Sequence, residues 1–187
     1  MKHLRKTSET MLELAAGQRD QDVELVRQAR EGDRAAFDVL FQRHKAFVYN
    51  VCYRILGSAD DAVDATQSAF IQAYRALKGF RGDSSFRSWV YRIAANLCTS
   101  MLRQELRRQE IQLDADQPAT GRAGDDRVWE TILELLPDLR AALVLFYFQG
   151  LSCHEMAEVM GCSEGAVRTR LHRARIAFKK KYEEIKR

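Results

Sequence analysis

Two prolines and ten glycines in 187 residues are few. An all-β protein needs turn residues about every 8–12 positions, so that class is excluded and a mostly helical protein is expected. Long apolar runs are missing too: nothing approaches the roughly 18 residues of a membrane span. Glu9 and Glu13 interrupt the basic start of the chain, which argues against a signal-peptide core. A cytoplasmic protein without membrane insertion is therefore expected. Cysteine is sparse: Cys52, Cys98, Cys153 and Cys162 show no CxxC spacing and read as free thiols. Cys153, His154 and Cys162 form the one cluster of ligating side chains, and it lacks an obvious fourth ligand, so no metal or cofactor is assigned. The chain contains no HExxH, GxSxG or P-loop, and its four histidines are scattered. An enzyme is not expected.

What is present suits a soluble chain with a core: 46% apolar and 30% charged residues. The net charge of +4 argues little by itself. Its distribution says more.

From Asp33, an N-cap candidate, Phe37, Leu40, Phe41, His44, Phe47, Val48, Val51 and Ile55 recur at steps of three or four. That is an apolar helical stripe, closed by Gly57. Val23–Ala29 predicts a shorter helix before it. A second helix follows Ser58, with Ala62, Val63, Ala69, Phe70, Ala73, Tyr74 and Leu77 on its buried side. Asp61, Asp64, Ser68 and Gln72 form an acidic, polar side. After the break at residues 79–84, a third helix is predicted over 86–108, with Phe86, Trp89, Val90, Ile93, Leu97 and Met101 inward. The periodicity stops at residues 112–127, where four aspartates outweigh two arginines. This reads as an acidic linker between two basic halves. Beyond it, Val128–Leu136 predicts one short helix, and Pro137 suits the first turn of another running to Gln149.

Residues 150–181 carry the strongest signal. Ser152 and Glu155 make a capping box, Gly161 permits a sharp turn, and Ser163 caps a further helix. Two helices joined by a short turn containing Gly are the signature of a helix-turn-helix. In the second, Val167, Leu171, Ala174 and Phe178 face inward, and Arg168, Thr169, His172 and Arg175 face away. Seven Lys/Arg stand against one Glu over Glu164–Lys181. Such a helix suits guanine edges and phosphates.

The middle segment suits separated strands. Melting costs on the order of 1.4 kcal/mol per base-pair step, which a protein without ATP recovers by holding unpaired bases and phosphates. Phe80, Arg81, Phe86, Arg87, Trp89, Tyr91, Arg92 and Asn96 offer rings, cations and an amide. Phe86 and Trp89 read as core, whereas the loop Phe80–Ser85 and Asn96 are the better candidates for bases. The acidic face at Asp61, Asp64, Gln67 and Gln72 would repel DNA and fits a basic protein partner.

Together these segments resemble the extracytoplasmic-function (ECF) group of bacterial RNA polymerase sigma factors. DDAVDATQSAFIQAYRAL (60–77) resembles the helix that grips the polymerase clamp. FRGDSSFRSWVYRIAANLCTSMLR (80–103) resembles the segment that opens and reads the −10 promoter element. LSCHEMAEVMGCSEGAVRTRLHRARIAFKKK (151–181) resembles the helix-turn-helix that reads the −35 element. The chain departs from the pattern at Ser68, where many members are acidic, and at Ala65, where leucine is usual.

The resemblance implies an all-α fold of two small helical domains joined by a flexible linker: an N-terminal extension (1–21), region 2 (22–110), the linker (111–127) and region 4 (128–187). It implies −35 contacts from Arg168, Thr169, His172, Arg173 and Arg175. It implies −10 contacts from Phe80, Arg81, Asp83, Ser84, Arg92, Asn96 and Arg103, with Phe80–Ser85 forming a pocket for a flipped base. Docking on core RNA polymerase would use Asp61, Asp64, Gln67, Phe70 and Gln72 against the clamp helices of the largest subunit. Region 4 would meet the flap of the second-largest subunit, and promoter DNA and an anti-sigma factor would be further partners. A stand-alone helix-turn-helix repressor or response-regulator output domain, binding palindromic duplex as a dimer without polymerase, is the rival reading. It would leave the aromatic segment and the acidic face without a role.

Overall fold

The computed structural model describes residues 22–111 and 127–185, and these are helical with no strand among them. The N-terminal extension (1–21) and linker residues 112–126 lie outside the described residues. Helix α1 covers residues 22–30, α2 Arg34–Leu56, α3 Ala59–Ala76 and α4 Phe86–Ile111. After the linker come α5 (Arg127–Leu133), α6 (Pro137–Leu143), α7 (Cys153–Met160) and α8 (Glu164–Ile185).

The caps act as the side-chain chemistry dictates. The Asp33 carboxylate accepts from the amides of Ala35 and Ala36, and Ser58 accepts from Asp61. Each satisfies an amide that the first helical turn leaves unpaired. Gly57 ends α2 at φ 77°, where a side chain would be strained.

Leu40, Val48, Val51 and Ile55 of α2 are completely buried. Each contributes about 1.5–3 kcal/mol of burial. Ala62, Ala65, Ala69 and Ala73 form a small-residue stripe on α3, also buried, which lets α2 and α4 approach closely. His44 is buried against Phe86, with ring centroids 5.4 Å apart. Its Nε2 lies 2.8 Å from the Asp22 carboxylate, which also accepts from Arg43 at 3.0 Å. This pair fastens α1 to α2.

Periodicity misassigned several residues at stripe edges. Phe47, expected inward, is 53% exposed, with the Arg87 guanidinium over its ring. Val63 and Tyr74 are exposed as well, and Ala65 and Thr66 take the buried places instead. Helix α5 stops at Leu133 rather than Leu136. The helix that begins at Pro137 changes character at Val144. Residues Val144–Phe148 form a π turn, and the Gln149 amide reaches back to the Val144 carbonyl at 3.1 Å. The wider turn swings Phe146 and Tyr147 toward α8.

Sequence reading expects two separate halves. In the structure they touch: α4 packs on α6 and α7, and the π turn lies against α2. The buried Arg140 of α6 donates to the Ile55 carbonyl at 2.8 Å. Burial brings its pKa down to about 10, so it stays charged at neutral pH.

Candidate nucleic-acid interface

The capping box is formed: Ser152 Oγ accepts from the Glu155 amide, and the Glu155 carboxylate accepts from the Ser152 amide. Gly161 turns the chain in the left-handed region, at φ 62° and ψ 39°. Ser163 Oγ then accepts from the Ala166 amide at 3.2 Å, which starts α8. Helices α7 and α8 thus form the expected helix-turn-helix. Val167, Leu171 and Ala174 are buried, which anchors one side of α8 and fixes what the other presents.

Arg168, Thr169, His172 and Arg173 are all exposed. Glu164 Oε2 holds the Arg168 guanidinium at 3.1 Å, and Glu164 Oε1 lies 3.0 Å from His154 Nδ1. His154 therefore braces the first turn of α8 through Glu164. Among the described residues, no group of three His, Cys, Asp or Glu is placed to hold a metal ion. Arg175 stands apart from the other four. It lies on the flank of α8, its Nε donates to Tyr147 Oη at 2.9 Å, and its guanidinium sits over the rings of Phe146 and Tyr147. At about 100° per residue, Ile176 falls in the middle of the outward face, beside Thr169 and between Arg168 and Arg173. It is 57% exposed. Sequence reasoning passed over it because it sought charge, yet an exposed apolar residue among basic ones suits a thymine methyl group.

The residues expected at the −10 element divide. Arg81 and Asp83 are exposed and Ser84 is half-buried, in a loop turned by Gly82 at φ 80°. Phe80 is buried, with its ring centroid 4.7 Å from that of Trp89. It closes the core beneath the loop and exposes little of its ring, unlike the exposed Arg81 and Asp83. Tyr91 is likewise fully buried. Its hydroxyl has no well-formed hydrogen bond among the described residues, the Arg87 guanidinium lies over its ring, and burial raises its pKa. Asn96 is exposed in a groove of about 360 Å³ lined by Gln72, Arg92, Ile93, Leu97 and Ser100. Arg92 Nε donates to the Glu158 carbonyl of α7. Arg103 grips both Asp138 carboxylate oxygens of α6 at 2.7 Å.

On α3, Asp61, Asp64, Gln67 and Gln72 are exposed, as expected for a docking face. Phe70 is buried, edge-on to Phe41 at 4.8 Å. It supports this face from beneath and exposes almost no surface to a partner, because the stripe of α3 needs a large residue opposite Phe41. Gln67 lines a groove between α2 and α3 of about 540 Å³ with Phe41, Ile71 and Tyr74, whereas Gln72 lies on the other flank, beside Asn96. Ile71 and Tyr74 are exposed apolar residues that a search for polar docking groups missed.

Cys52 and Cys98 are fully buried between α2 and α4. The Cys52 side chain and burial hold the Cys98 thiol far above its ordinary range, so it stays neutral.

Two family models match the chain: "Sigma-70 region 2" over residues 40–108 and "Sigma-70, region 4" over residues 125–178. The RNA polymerase sigma-H factor of Pseudomonas aeruginosa is 38% identical over 180 residues, 86% of this chain and 93% of that one. The ECF RNA polymerase sigma-E factor of Escherichia coli K12 is 36% identical over 183 residues, 88% of this chain and 95% of that one. Among solved structures, CnrH in complex with the cytosolic domain of CnrY is similar at a TM-score of 0.64, with 29% identity over 86% of this chain and 96% of that one.

Proposed function

The chain belongs to the extracytoplasmic-function group of RNA polymerase sigma factors, promoter-specific initiation factors rather than catalysts, and from that membership we propose how its surfaces divide the work. Residues 22–110 act as region 2 and residues 128–187 as region 4. Region 4 places α8 in the major groove at the −35 element. Arg168, Thr169, His172 and Arg173 face the bases, Arg175 lies at the flank, and each good bidentate base contact contributes about 1–3 kcal/mol of discrimination. In region 2, Arg81, Asp83 and Ser84 form the loop pocket for a flipped −10 base. Asn96 and Arg92 line the path of the unpaired strand, and Arg103 meets phosphate at the upstream edge.

Asp61, Asp64, Gln67 and Gln72 dock on the clamp helices of the polymerase largest subunit, with Phe70 holding their helix in place. Region 4 meets the flap of the second-largest subunit. A cognate anti-sigma factor regulates the chain; the similar CnrH is solved with the cytosolic domain of CnrY bound. The protein works in the cytoplasm, with the polymerase.

The observation that supports this reading best is the exposed ridge Arg168–Thr169–His172–Arg173 on a helix whose other side is buried. Run-off transcription with core polymerase over a genomic library tests it and returns the promoter motif. Arg168→Ala is expected to lower promoter-specific transcripts while leaving polymerase binding intact; an unchanged promoter preference removes Arg168 from the −35 set. A chain that binds palindromic duplex as a dimer, and that core polymerase does not pull down, is the rival repressor.

A further inference from the structure

Glu164 is the single acid among the seven Lys and Arg of residues 164–181. A carboxylate in the first turn suits the helix dipole, and that role asks nothing of its surroundings. Here the surroundings are built. Glu164 Oε1 lies 3.0 Å from Nδ1 of His154 on α7, and Glu164 Oε2 accepts from Arg168 Nη2 at 3.1 Å. The carboxylate is thus held from two sides, yet 40% of its side chain stays exposed. A carboxylate has about four lone-pair sites, so acceptor capacity remains. Much of the rotamer freedom that binding would otherwise remove is already lost.

Gly165 is an independent observation. Its backbone belongs to α8, and the nearest atom that a Cβ would meet is Ser163 Oγ, at 3.9 Å. Neither backbone conformation nor packing within the chain requires glycine there, and glycine inside a helix is destabilising relative to alanine. At about 100° per residue, Gly165 lines up with Thr169 and Ile176 on the outward face. It leaves a gap there, directly beside Glu164. Glycine in such a place serves the close approach of a ligand.

The N-terminal residues of a recognition helix contact base edges in the major groove. Phosphate repels a carboxylate, so the partner of Glu164 must be a donor on a base. The groove offers two, the amino groups of adenine N6 and cytosine N4. Adenine sets its N7 acceptor beside the amino group, which also repels a carboxylate. Cytosine carries no acceptor in this groove. Arg168 has five N–H groups; it uses one on Glu164 and keeps the others for guanine.

We propose that Glu164 is a specificity-determining residue of the −35 surface. Its carboxylate accepts from the N4 amino group of a cytosine, and Gly165 is the gap that admits this base edge. The inference rests on the −35 reading of α8 and adds to it the identity of one base.

The test is selection of −35 sequences from a randomised promoter library by the full chain with core polymerase. Wild type is expected to enrich cytosine at one position, and replacing that base is expected to weaken binding about tenfold. Gln matches Glu in size but favours adenine. Glu164→Gln is therefore expected to change cytosine to adenine at that position and leave the other positions alone. Glu164→Asp keeps a charge for the helix dipole but draws the carboxylate back by a methylene. It is expected to lose the cytosine preference while its urea midpoint stays close to that of wild type. Gly165→Ala is expected to unfold at an equal or higher midpoint, yet to bind the selected promoter about tenfold more weakly.

A wild-type −35 motif without cytosine overturns the proposal, and so does a motif that Glu164→Gln and Glu164→Asp leave unchanged; in both cases the −35 reading stands. Gly165→Ala binding as tightly as wild type overturns the close approach. A wild-type holoenzyme that selects no −35 sequence removes the −35 reading, and the inference with it.

Discussion

Arg175 of α8 donates its Nε–H to the Tyr147 hydroxyl at 2.9 Å, from beneath a helix that it would otherwise leave for solvent. Tyr147 reaches it because the π turn at Val144–Phe148 rotates that segment toward α8. The bond settles which way the guanidinium points at the edge of the proposed −35 surface. Tyr147→Phe is expected to keep the ring beneath the cation and remove only the hydroxyl. A hydrogen bond of this kind contributes about 1 kcal/mol, roughly fivefold in affinity. Fluorescence anisotropy with a −35 duplex should show a loss of up to about that size, beside a stability loss of no more than about 1 kcal/mol. An unaltered affinity separates Arg175 from DNA recognition.

Asp22 makes a pH prediction. Burial alone would raise its pKa, but hydrogen bonds and charges from His44 and Arg43 outweigh burial and hold the carboxyl below its ordinary range. A folded-state pKa below the unfolded one contributes stability above the unfolded value of about 3.9, and that contribution is lost as pH falls through the folded value. Asp22→Asn is therefore expected to cost about 1 kcal/mol at pH 7 after discounting for solvent screening. The difference from wild type should close in acid. Urea unfolding of both proteins at neutral pH and again below about pH 4 checks this, and a constant difference across that range contradicts it.

Ala65 is a small residue buried at a helix crossing. The position is 1% exposed, within the small-residue stripe of α3. Ala65→Leu adds three carbons where α3 crosses its neighbours, and overpacking of this kind costs about 1–3 kcal/mol. A lower urea midpoint is expected. A midpoint equal to or above that of wild type would show that the crossing has room to spare.

Gly57 links the end of one half to the side of the other. Its φ is 77°, and a Cβ placed there would lie 2.7 Å from Leu133 Cδ2. Gly57→Ala is expected to cost about 1–2 kcal/mol from the backbone alone, and more from displacing Leu133. Trimming Leu133 in the double variant G57A/L133A should recover the second part and not the first. A double-mutant cycle with chemical denaturation measures that coupling. Strictly additive losses would place the whole cost in the backbone of Gly57.

Much of the fold was legible because its signals are local. Asp33, Ser58, Ser152 and Ser163 read as caps from a few neighbouring residues, and each accepts the expected amide. Gly57 and Gly161 read as terminators and adopt positive φ. The site was legible where a helix had one plainly apolar side, as α8 does. It was less legible at stripe edges. Phe47, Phe70 and Phe80 are chemically alike, yet one is exposed and two are buried. What surrounds each ring comes from other helices, and periodicity within one helix carries no record of it.

By itself the sequence determined the all-helical class, the order of the helices, the helix-turn-helix and the family. These follow from capping chemistry, the 3.6-residue period and motif order, which act over a few residues at a time. Only the tertiary structure decided that Phe80 supports the loop at residues 81–85 from within, that Tyr147 orients Arg175, and that Arg92, Arg103 and Arg140 bind the halves together. Those three arginines meet partners 66, 35 and 85 residues away in the chain. An arginine free to reach DNA and one already held by a carbonyl or carboxylate are the same letter in sequence. Packing brings the partner within hydrogen-bond distance, and so decides which of the two it is.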